Sequence, residues 1–169
     1  MPRPPFIVAV ADIPEVECHY PPPGEAEKLA FGKNLGKAVG SVRLGGWQER
    51  IPPGRRTSFT HAHLEEEEIV FVLSGTCHAR LIRPGGEPEE HEMSAGDVAS
   101  FPAGTGIAHC FVNNGVEDAV ILCFGERRPD DHCWYPEDAA WQEHLRVTGA
   151  AHYWEGPSLA GQEIPVVRV

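Results

Sequence analysis

The stretch His61-Ala62-His63-Leu64-Glu65-Glu66-Glu67-Glu68 decides the fold of this chain, together with the apolar run that follows it and ends at Gly75. Successive side chains of a strand point to opposite faces of the sheet, so residues two apart share a face. His61 and His63 are therefore predicted to point into one interior from the same strand. Glu68 opens the next strand, which is apolar up to the glycine turn.

A second pair of predicted strands, 97–101 and 107–113, is joined by the turn Pro102-Ala103-Gly104-Thr105-Gly106 and carries His109. Neutral imidazole and carboxylate are the ligands that divalent transition metals prefer in proteins. We therefore predict that one metal ion is bound by four side chains, His61, His63, Glu68 and His109. The sequence leaves open whether the metal is zinc, iron, manganese or nickel.

Length and composition favour a single globular domain built from short elements. The chain has 169 residues, of which 41% are hydrophobic, enough for a sizeable core. Its 18 glycines and 16 prolines leave little room for long helices. The net charge of -11 repels phosphate backbones and anionic lipid, so we expect no binding to nucleic acid or membranes.

The five cysteines are odd in number and form no Cys-x-x-Cys pair, which favours reduced thiols over a disulfide framework. The apolar run Phe6–Ala11 is too short for the core of a signal peptide and far too short to span a membrane. We therefore expect a cytoplasmic protein.

The pattern along the chain predicts three parts. Residues 1–38 form an N-terminal arm that packs on a barrel and includes a possible edge strand at Phe6–Val10. Residues 39–127 form the barrel, because apolar runs recur about every ten residues between turn signals, as in all-β sandwiches and barrels. Its predicted strands are 41–51, 57–63, 68–73, 77–82, 91–94, 98–101, 107–112 and 119–124.

Residues 128–169 form a C-terminal extension with a short helix predicted from Pro136 to Arg146. This extension is rich in aromatic residues: Trp134, Tyr135, Trp141, Tyr153 and Trp154. These rings either cover the outer face of the barrel or a partner subunit, or one or two of them wall the mouth of the pocket.

Two motifs in this order resemble those of the cupin superfamily. The first, G-x(5)-H-x-H-x(3,4)-E-x(6)-G, is met with one extra residue after the first glycine by Gly54, His61, His63, Glu68 and Gly75. The second, G-x(5)-P-x-G-x(2)-H-x(3)-N, is met with two extra residues before the histidine by Gly96, Pro102, Gly104, His109 and Asn113. The extra residues fall in turns, where added length is tolerated.

The resemblance, to single-domain cupins of the cupin 2 type, implies a double-stranded β-helix, or jelly-roll, barrel. It extends to a bacterial group labelled as sugar or sugar-phosphate isomerases, a label that rests on broad similarity. The motif also allows the shorter spacing at which Glu67 would replace Glu68 as the carboxylate ligand. Single-barrel cupins are often dimers, so the resemblance also implies a homodimer.

Two functions remain open from the sequence. The first is a small metalloenzyme, an isomerase, lyase or dioxygenase, that acts on a polar small molecule. The second is a non-catalytic protein that binds or senses a small molecule through its metal. Arg43, Gln48 or Arg50 would bind an anionic substrate if their side chains turn inward, and each is otherwise an exposed strand residue.

Other polar residues near the motifs have simpler interpretations. Glu65 and Glu66 are interpreted as a solvated acidic turn, and Asn113 as a structural residue that closes a turn. Cys123 could face the cavity, but no charged partner marks it as a nucleophile. Five further histidines are interpreted as surface or packing residues: His78, His91, His132, His144 and His152.

Overall fold

Antiparallel strands dominate the computed structural model, which describes residues 3–150 and 152–157. The strands are β1 (Val16–Glu17), β2 (Phe31–Asn34), β3 (Leu44–Ile51), β4 (Ala62–His63), β5 (Glu68–Ser74), β6 (Thr76–Ile82), β7 (Glu89–Ser94), β8 (Val98–Phe101), β9 (Ala108–Val112), β10 (Ala119–Glu126) and β11 (Cys133–Trp134). The helices are α1 (Leu35–Ala38) and α2 (Ala139–Thr148), and Val10–Asp12 forms a 3-10 turn.

The strands form two layers. One layer is a six-stranded sheet in the order β1-β2-β3-β10-β5-β8. The other contains the three-stranded sheet β7-β6-β9 and the pair β11-β4, and isolated bridges from Arg56 to Val112 and from His61 to His109 join the segment before β4 to β9. This arrangement is a jelly-roll barrel, so the predicted fold class is confirmed.

The core lies between the two layers. Strand β5 shows why, since Val70 and Val72 are buried while Ile69 and Phe71 are exposed on the other face. This period of two places one apolar row of each strand inside the barrel. The core cluster combines residues of both layers: Ala30, Ile51, Val70, Val72, Cys77, Ala79, Met93, Phe101, Phe111, Ala119 and Ile121.

Two predicted strands differ from the structure. The segment 57–63 is regular only at Ala62–His63, and elsewhere a single bridge from His61 to His109 and the Thr57 N–H, which donates to the Phe111 carbonyl, connect it to β9. Phe6–Val10 is not a strand: Ile7 N–H donates to the Pro4 carbonyl in a turn, and Phe6 is 66% exposed. Proline offers no N–H to a neighbouring strand, which weakens pairing here. Strands β1 and β2 extend the sheet in its place.

The predicted C-terminal helix is present with shifted ends. It runs from Ala139 to Thr148 and ends at Gly149, whose φ of 63° closes the helix in the left-handed conformation that glycine tolerates best. The division of the chain at residues 38 and 127 stays a prediction. Residues 1–2 of the arm, and 151 and 158–169 of the extension, lie outside the described residues. Among those described, no helix is both long enough and apolar enough to span a bilayer.

Candidate metal centre

His61 and His63 point into the barrel together. Both belong to the segment that ends in β4, and their Nε2 atoms lie 3.1 Å apart. His61 also forms a two-way backbone bridge with His109, each residue donating its N–H to the other's carbonyl. This bridge sets the third imidazole beside the first two.

Glu68, the first residue of β5, completes the cluster. Its Oε2 lies 3.0 Å from His109 Nε2 and 3.7 Å from His63 Nε2. Gly125 on the neighbouring strand leaves room for it, since a Cβ there would stand 3.0 Å from Glu68 Cγ. Of the four residues predicted from the sequence, His61, His63 and Glu68 have donor atoms within 4.8 Å of one another, and His109 contacts this group through Glu68.

The separations of these atoms suit a metal ion. Two ligands bound at about 2.1 Å and at right angles to each other stand about 3.0 Å apart. Three separations, His61 to His63, His109 to Glu68 and His63 to Glu68, are 3.0 to 3.7 Å, at or slightly above that value. Three imidazole nitrogens and one carboxylate are also a donor set that divalent transition metals accept.

Each histidine has a partner on Nδ1, which leaves Nε2 toward the common centre. His61 Nδ1 lies 2.8 Å from the Phe59 carbonyl oxygen, and His109 Nδ1 lies 3.4 Å from the Ile107 carbonyl oxygen. His63 Nδ1 lies 2.5 Å from Asp131 Oδ2. An Nδ1–H that donates to an acceptor leaves a lone pair on Nε2, the form that binds metals.

The charges of the cluster are strongly coupled. Burial, followed by the charges of His63 and His109, lowers the pKa of His61 to about 3. Burial also disfavours the charged form of His63, but hydrogen bonds with Asp131 and Cys133 outweigh it and raise its pKa to about 11. The metal-free ring therefore carries a proton on each nitrogen, and a metal bound at Nε2 would displace one of them. Burial opposes ionisation of Glu68, yet the His109 hydrogen bond and the neighbouring imidazoles hold its pKa well below the usual range. The carboxylate is therefore ionised and can balance a cation.

Three of the four side chains, His61, Glu68 and His109, line a cavity of about 310 Å³, and His63 stands behind His61. Trp47 and Glu49 of β3 and Cys123 of β10 also line the cavity, with Tyr20 and Arg127 from outside the barrel strands. The remaining lining residues are Thr57, Ser58, Val70, Cys110, Phe111 and Ile121. A chamber of this size and mixed polarity suits a small polar molecule.

Glu49 brings a second carboxyl group into this cavity. Burial, and then the charge of Glu68, raises its pKa to about 8. Glu49 is therefore mostly protonated at neutral pH and can donate a proton. Cys123 Sγ lies 3.5 Å from Glu68 Oε1, and burial raises the pKa of this thiol far above its usual value. Cys123 faces the cavity as a neutral thiol, not as an activated nucleophile.

Arg127 supplies the positive charge of the cavity lining. Its guanidinium lies over Gly45, where any Cβ would stand 2.4 Å from Nε. Its Nη1 is 4.0 Å from Glu66 Oε2, and the side chain is half exposed. The residues that the sequence offered for binding an anionic substrate do not line the cavity. Arg50 pairs with Glu15 and Asp118 at the surface. Arg43 and Gln48 are not among the lining residues.

The run of four glutamates is divided among different roles. Glu67 is exposed, whereas the Glu68 carboxylate lies among the imidazoles. The interpretation of Glu66 as solvated is wrong: it is 5% exposed, and its carboxylate accepts the Arg128 N–H. Glu65 accepts the His132 N–H, so this turn is tied to the segment around residue 130.

Aromatic rings close one side of the centre. Tyr135 of the C-terminal extension stacks on His61, with ring centroids 5.6 Å apart. Tyr20 stacks on Phe59 at 4.0 Å and packs edge-on against buried Trp141. Trp134 and Trp154 instead pack against the small cluster of Ala62, Ile82 and Ala108. Trp134 and Trp154 thus cover the barrel, and none of the five aromatic residues of the extension is among the lining residues of the cavity.

Sequence reasoning missed Asp131, Glu49, Arg127 and Tyr20. Glu49 had a signal, because it alternates with Trp47 and with the buried Ile51 on the inward face of β3. The other three lie outside the strands that carry the motifs, and no local pattern points to them. The five histidines interpreted as surface or packing residues do not line this cavity.

Comparisons with known proteins agree with this architecture. A family model described as the cupin domain matches residues 47–125. A crystal structure of a sugar phosphate isomerase from a cupin superfamily, from Silicibacter pomeroyi, has a TM-score of 0.68 and 31% identity. The match covers 78% of this chain and 82% of the S. pomeroyi chain.

Two further matches add to this. A predicted oxalate decarboxylase from Thermotoga maritima has a TM-score of 0.55 at 21% identity, over 72% of this chain and 99% of its own, and shows the fold alone. Germin-like protein 5-1 from Oryza sativa subsp. japonica is 37% identical over 104 residues, or 60% of this chain. The chain spans about half the length of that relative, 46%. The two motifs, the jelly-roll barrel and these matches together show that the chain belongs to the cupin superfamily.

Proposed function

We propose that the protein is a metalloenzyme that isomerises a small anionic molecule, with a sugar phosphate as the first substrate class to test. His61, His63, Glu68 and His109 would hold one divalent transition metal. Glu68 is proposed over Glu67 because its carboxylate lies 3.0 Å from His109 Nε2, whereas Glu67 is exposed.

The observation that carries this proposal is the grouping of the four donor side chains, three of which line an accessible cavity of about 310 Å³. Four protein ligands leave about two positions open on a six-coordinate ion. Structural zinc sites, by contrast, are usually closed by four protein ligands in a tetrahedron. Once bound, the metal would supply Lewis-acid polarisation of a substrate carbonyl or hydroxyl oxygen.

Residues of the cavity would supply the remaining functions. Arg127 would bind the anionic group, since a guanidinium pairs with phosphate or carboxylate through two parallel hydrogen bonds. Glu49 would donate or accept a proton at its carboxyl group, with a pKa of about 8 that suits exchange near neutral pH. Trp47 and Tyr20 would exclude water from the bound molecule.

A comparison favours isomerisation over the other two reactions, and a chemical argument favours it over dioxygenation. The S. pomeroyi structure described as a sugar phosphate isomerase is 31% identical and covers most of both chains. Moving a proton between adjacent carbons also needs no oxidant, only an acid–base group such as Glu49 beside the metal. A lyase or a dioxygenase would use the same centre, and the experiment below separates them.

Metal content is the first test. The purified protein should bind about one divalent metal per chain. His61→Ala, His63→Ala, His109→Ala and Glu68→Gln should each lose most of it, because each change removes one donor. His91→Ala and Glu67→Gln are matched controls with exposed side chains and should keep it. Full metal content in the four ligand variants, measured by elemental analysis with folding checked by circular dichroism, would refute the assignment.

Turnover is the second test. The metal-loaded protein should interconvert at least one member of a panel of aldose and ketose phosphates, followed by NMR, without oxygen uptake. Oxygen consumption would indicate a dioxygenase, and cleavage products a lyase. Metal-dependent binding of panel members without turnover would instead support the alternative of a non-catalytic binding or sensor protein.

A further inference from the structure

We propose that Asp131 is a positioning residue for the metal centre, which keeps the proton of His63 on Nδ1 and so aims Nε2 at the metal. Asp131 lies outside both cupin motifs, in the C-terminal extension. The inference rests on the proposed function, because it concerns how His63 serves as a ligand there.

The first argument is that His63 lacks the backbone partner that the other two histidines have. His61 and His109 each direct Nδ1 to the carbonyl two residues earlier, of Phe59 and Ile107. The equivalent carbonyl for His63 belongs to His61, and it already accepts the His109 backbone N–H at 2.8 Å. His63 Nδ1 does not pair with that carbonyl and instead lies 2.5 Å from Asp131 Oδ2.

The second argument is that Asp131 is held in place before any metal binds. It is 5% exposed, and its Oδ1 accepts the backbone N–H groups of Glu65 and Glu66 at 3.0 and 3.2 Å. Its own carbonyl lies 2.7 Å from His152 Nδ1. With Oδ1 occupied in this way, Oδ2 is directed at His63. A carboxylate partner of this kind fixes the ring and makes the metal-binding nitrogen more basic.

The neighbouring thiol suggests two alternatives. Cys133 Sγ lies 3.3 Å from His63 Nδ1, so His63, Asp131 and Cys133 could in principle bind a second metal. The 2.5 Å between His63 and Asp131 is a hydrogen-bond distance, shorter than the about 3.0 Å expected between two ligands of one ion. Nor do they form a nucleophilic triad, because Asp131 and Cys133 face the same ring nitrogen, whereas a triad uses both.

Asp131→Asn is the decisive variant. The amide oxygen can still accept the N–H groups of Glu65 and Glu66, so the local fold is preserved. Its NH2 group then faces His63 Nδ1 and favours the tautomer with the proton on Nε2, which cannot bind a metal. Zinc affinity, measured by competition with a chelator, should fall by about 10- to 100-fold. Asp130→Asn is the matched control, because Asp130 is exposed and pairs with Arg128, and its zinc affinity should match the wild type.

A spectroscopic readout separates positioning from a general effect on structure. In NMR spectra of the zinc-loaded protein labelled with 15N-histidine, wild-type His63 should show a slowly exchanging Nδ1–H. Asp131→Asn at saturating zinc should lose this signal while the signals of His61 and His109 persist. Asp131→Glu, which keeps the carboxylate, should recover part of the affinity.

The outcomes are distinguishable. If wild-type protein binds one zinc and Asp131→Asn binds it equally well, Asp131 does not position His63, although the metal centre stands. Two zinc ions in the wild type and one in Asp131→Asn would make Asp131 a direct ligand and overturn the inference. If the wild type binds no zinc, iron, manganese or nickel, the proposed function fails and this inference fails with it.

Discussion

The chemistry of this centre depends on which nitrogen of each histidine faces the cavity. Three imidazoles of the same kind are distinguished only by their partners on Nδ1, two carbonyl oxygens and one carboxylate. Glu67 and Glu68 are neighbours of the same type, yet the Glu68 carboxylate lies beside His109 and Glu67 is exposed. Successive residues of an extended segment point to opposite faces. At this scale, small displacements of single side chains decide whether four donors share a centre.

Arg127 allows a test of substrate charge. Arg127→Ala should weaken binding of inorganic phosphate and of sugar phosphates by about 10- to 100-fold, because it removes a charged hydrogen-bond donor contributing about 1.5–3 kcal/mol. Binding of the corresponding unphosphorylated sugars should change little. Calorimetric titration of the metal-loaded protein measures both.

Arg128→Ala is the matched control, since Arg128 pairs with Asp130 at the surface and does not line the cavity. Equal phosphate affinity in Arg127→Ala and the wild type would show that the anion binds elsewhere.

At the scale of elements, the turn between β9 and β10 joins the two layers beside the second motif. Asn113 is fully buried there, and its Nδ2 donates to the carbonyls of Ile51 and Glu117. Its Oδ1 accepts the Gly115 N–H, and its backbone carbonyl accepts the Gly54 N–H. The last residue of one motif is thereby bonded to the first glycine of the other, in line with the structural role expected for Asn113.

Asn113→Ala should lower the free energy of unfolding by about 2–4 kcal/mol, because it removes three buried hydrogen bonds and leaves their backbone partners unpaired. Urea denaturation of the metal-free protein measures this change. Asn114→Ala, which removes an exposed contact to Glu90, should change stability by about 0.5 kcal/mol or less. Similar losses in both variants would contradict the role assigned to Asn113.

At the scale of the whole molecule, the outer face of the six-stranded sheet, the face that points away from the core, carries exposed apolar side chains. Cross-strand pairing places Ile69 beside Phe124 and Phe71 beside Val98 on this outer face. Their exposed fractions range from 38% for Phe71 to 62% for Val98. Contiguous apolar surface of this kind is uncommon on monomers. It is a candidate surface for the homodimer that the cupin resemblance implies, alongside edge strands and the aromatic extension.

We predict that the protein is a dimer in light scattering and that Phe71→Asp shifts it toward monomer, because the change would bury two charges in a symmetric interface. Val116→Asp, at a position 93% exposed in a loop, should leave the dimer intact. A wild-type monomer across a wide concentration range would count against the homodimer. A dimer unaffected by Phe71→Asp would direct attention to the edge strands or the extension.

The sequence by itself determined the jelly-roll class and predicted the four side chains proposed for the centre, three of which lie within 4.8 Å of one another. These depend on short-range rules: the period of two along a strand, the turn chemistry of glycine and proline, and the spacing within each motif. The same rules wrongly predicted a strand at Phe6–Val10 and a solvated Glu66. Both features depend on which strands and backbone groups the fold places nearby. The cytoplasmic location and the domain boundaries stay predictions.

Only the tertiary structure decided what surrounds those four side chains. Asp131 is 68 residues from His63 along the chain, and Arg127 lies over Gly45 from beyond the last long strand. Neither contact has a local signal, because a partner on another segment is selected by how the layers pack and not by spacing along the chain. The proposed tautomer of His63 and the proposed binding of an anion both depend on these distant contacts, since a hydrogen bond or an ion pair forms between whichever groups the fold brings within reach.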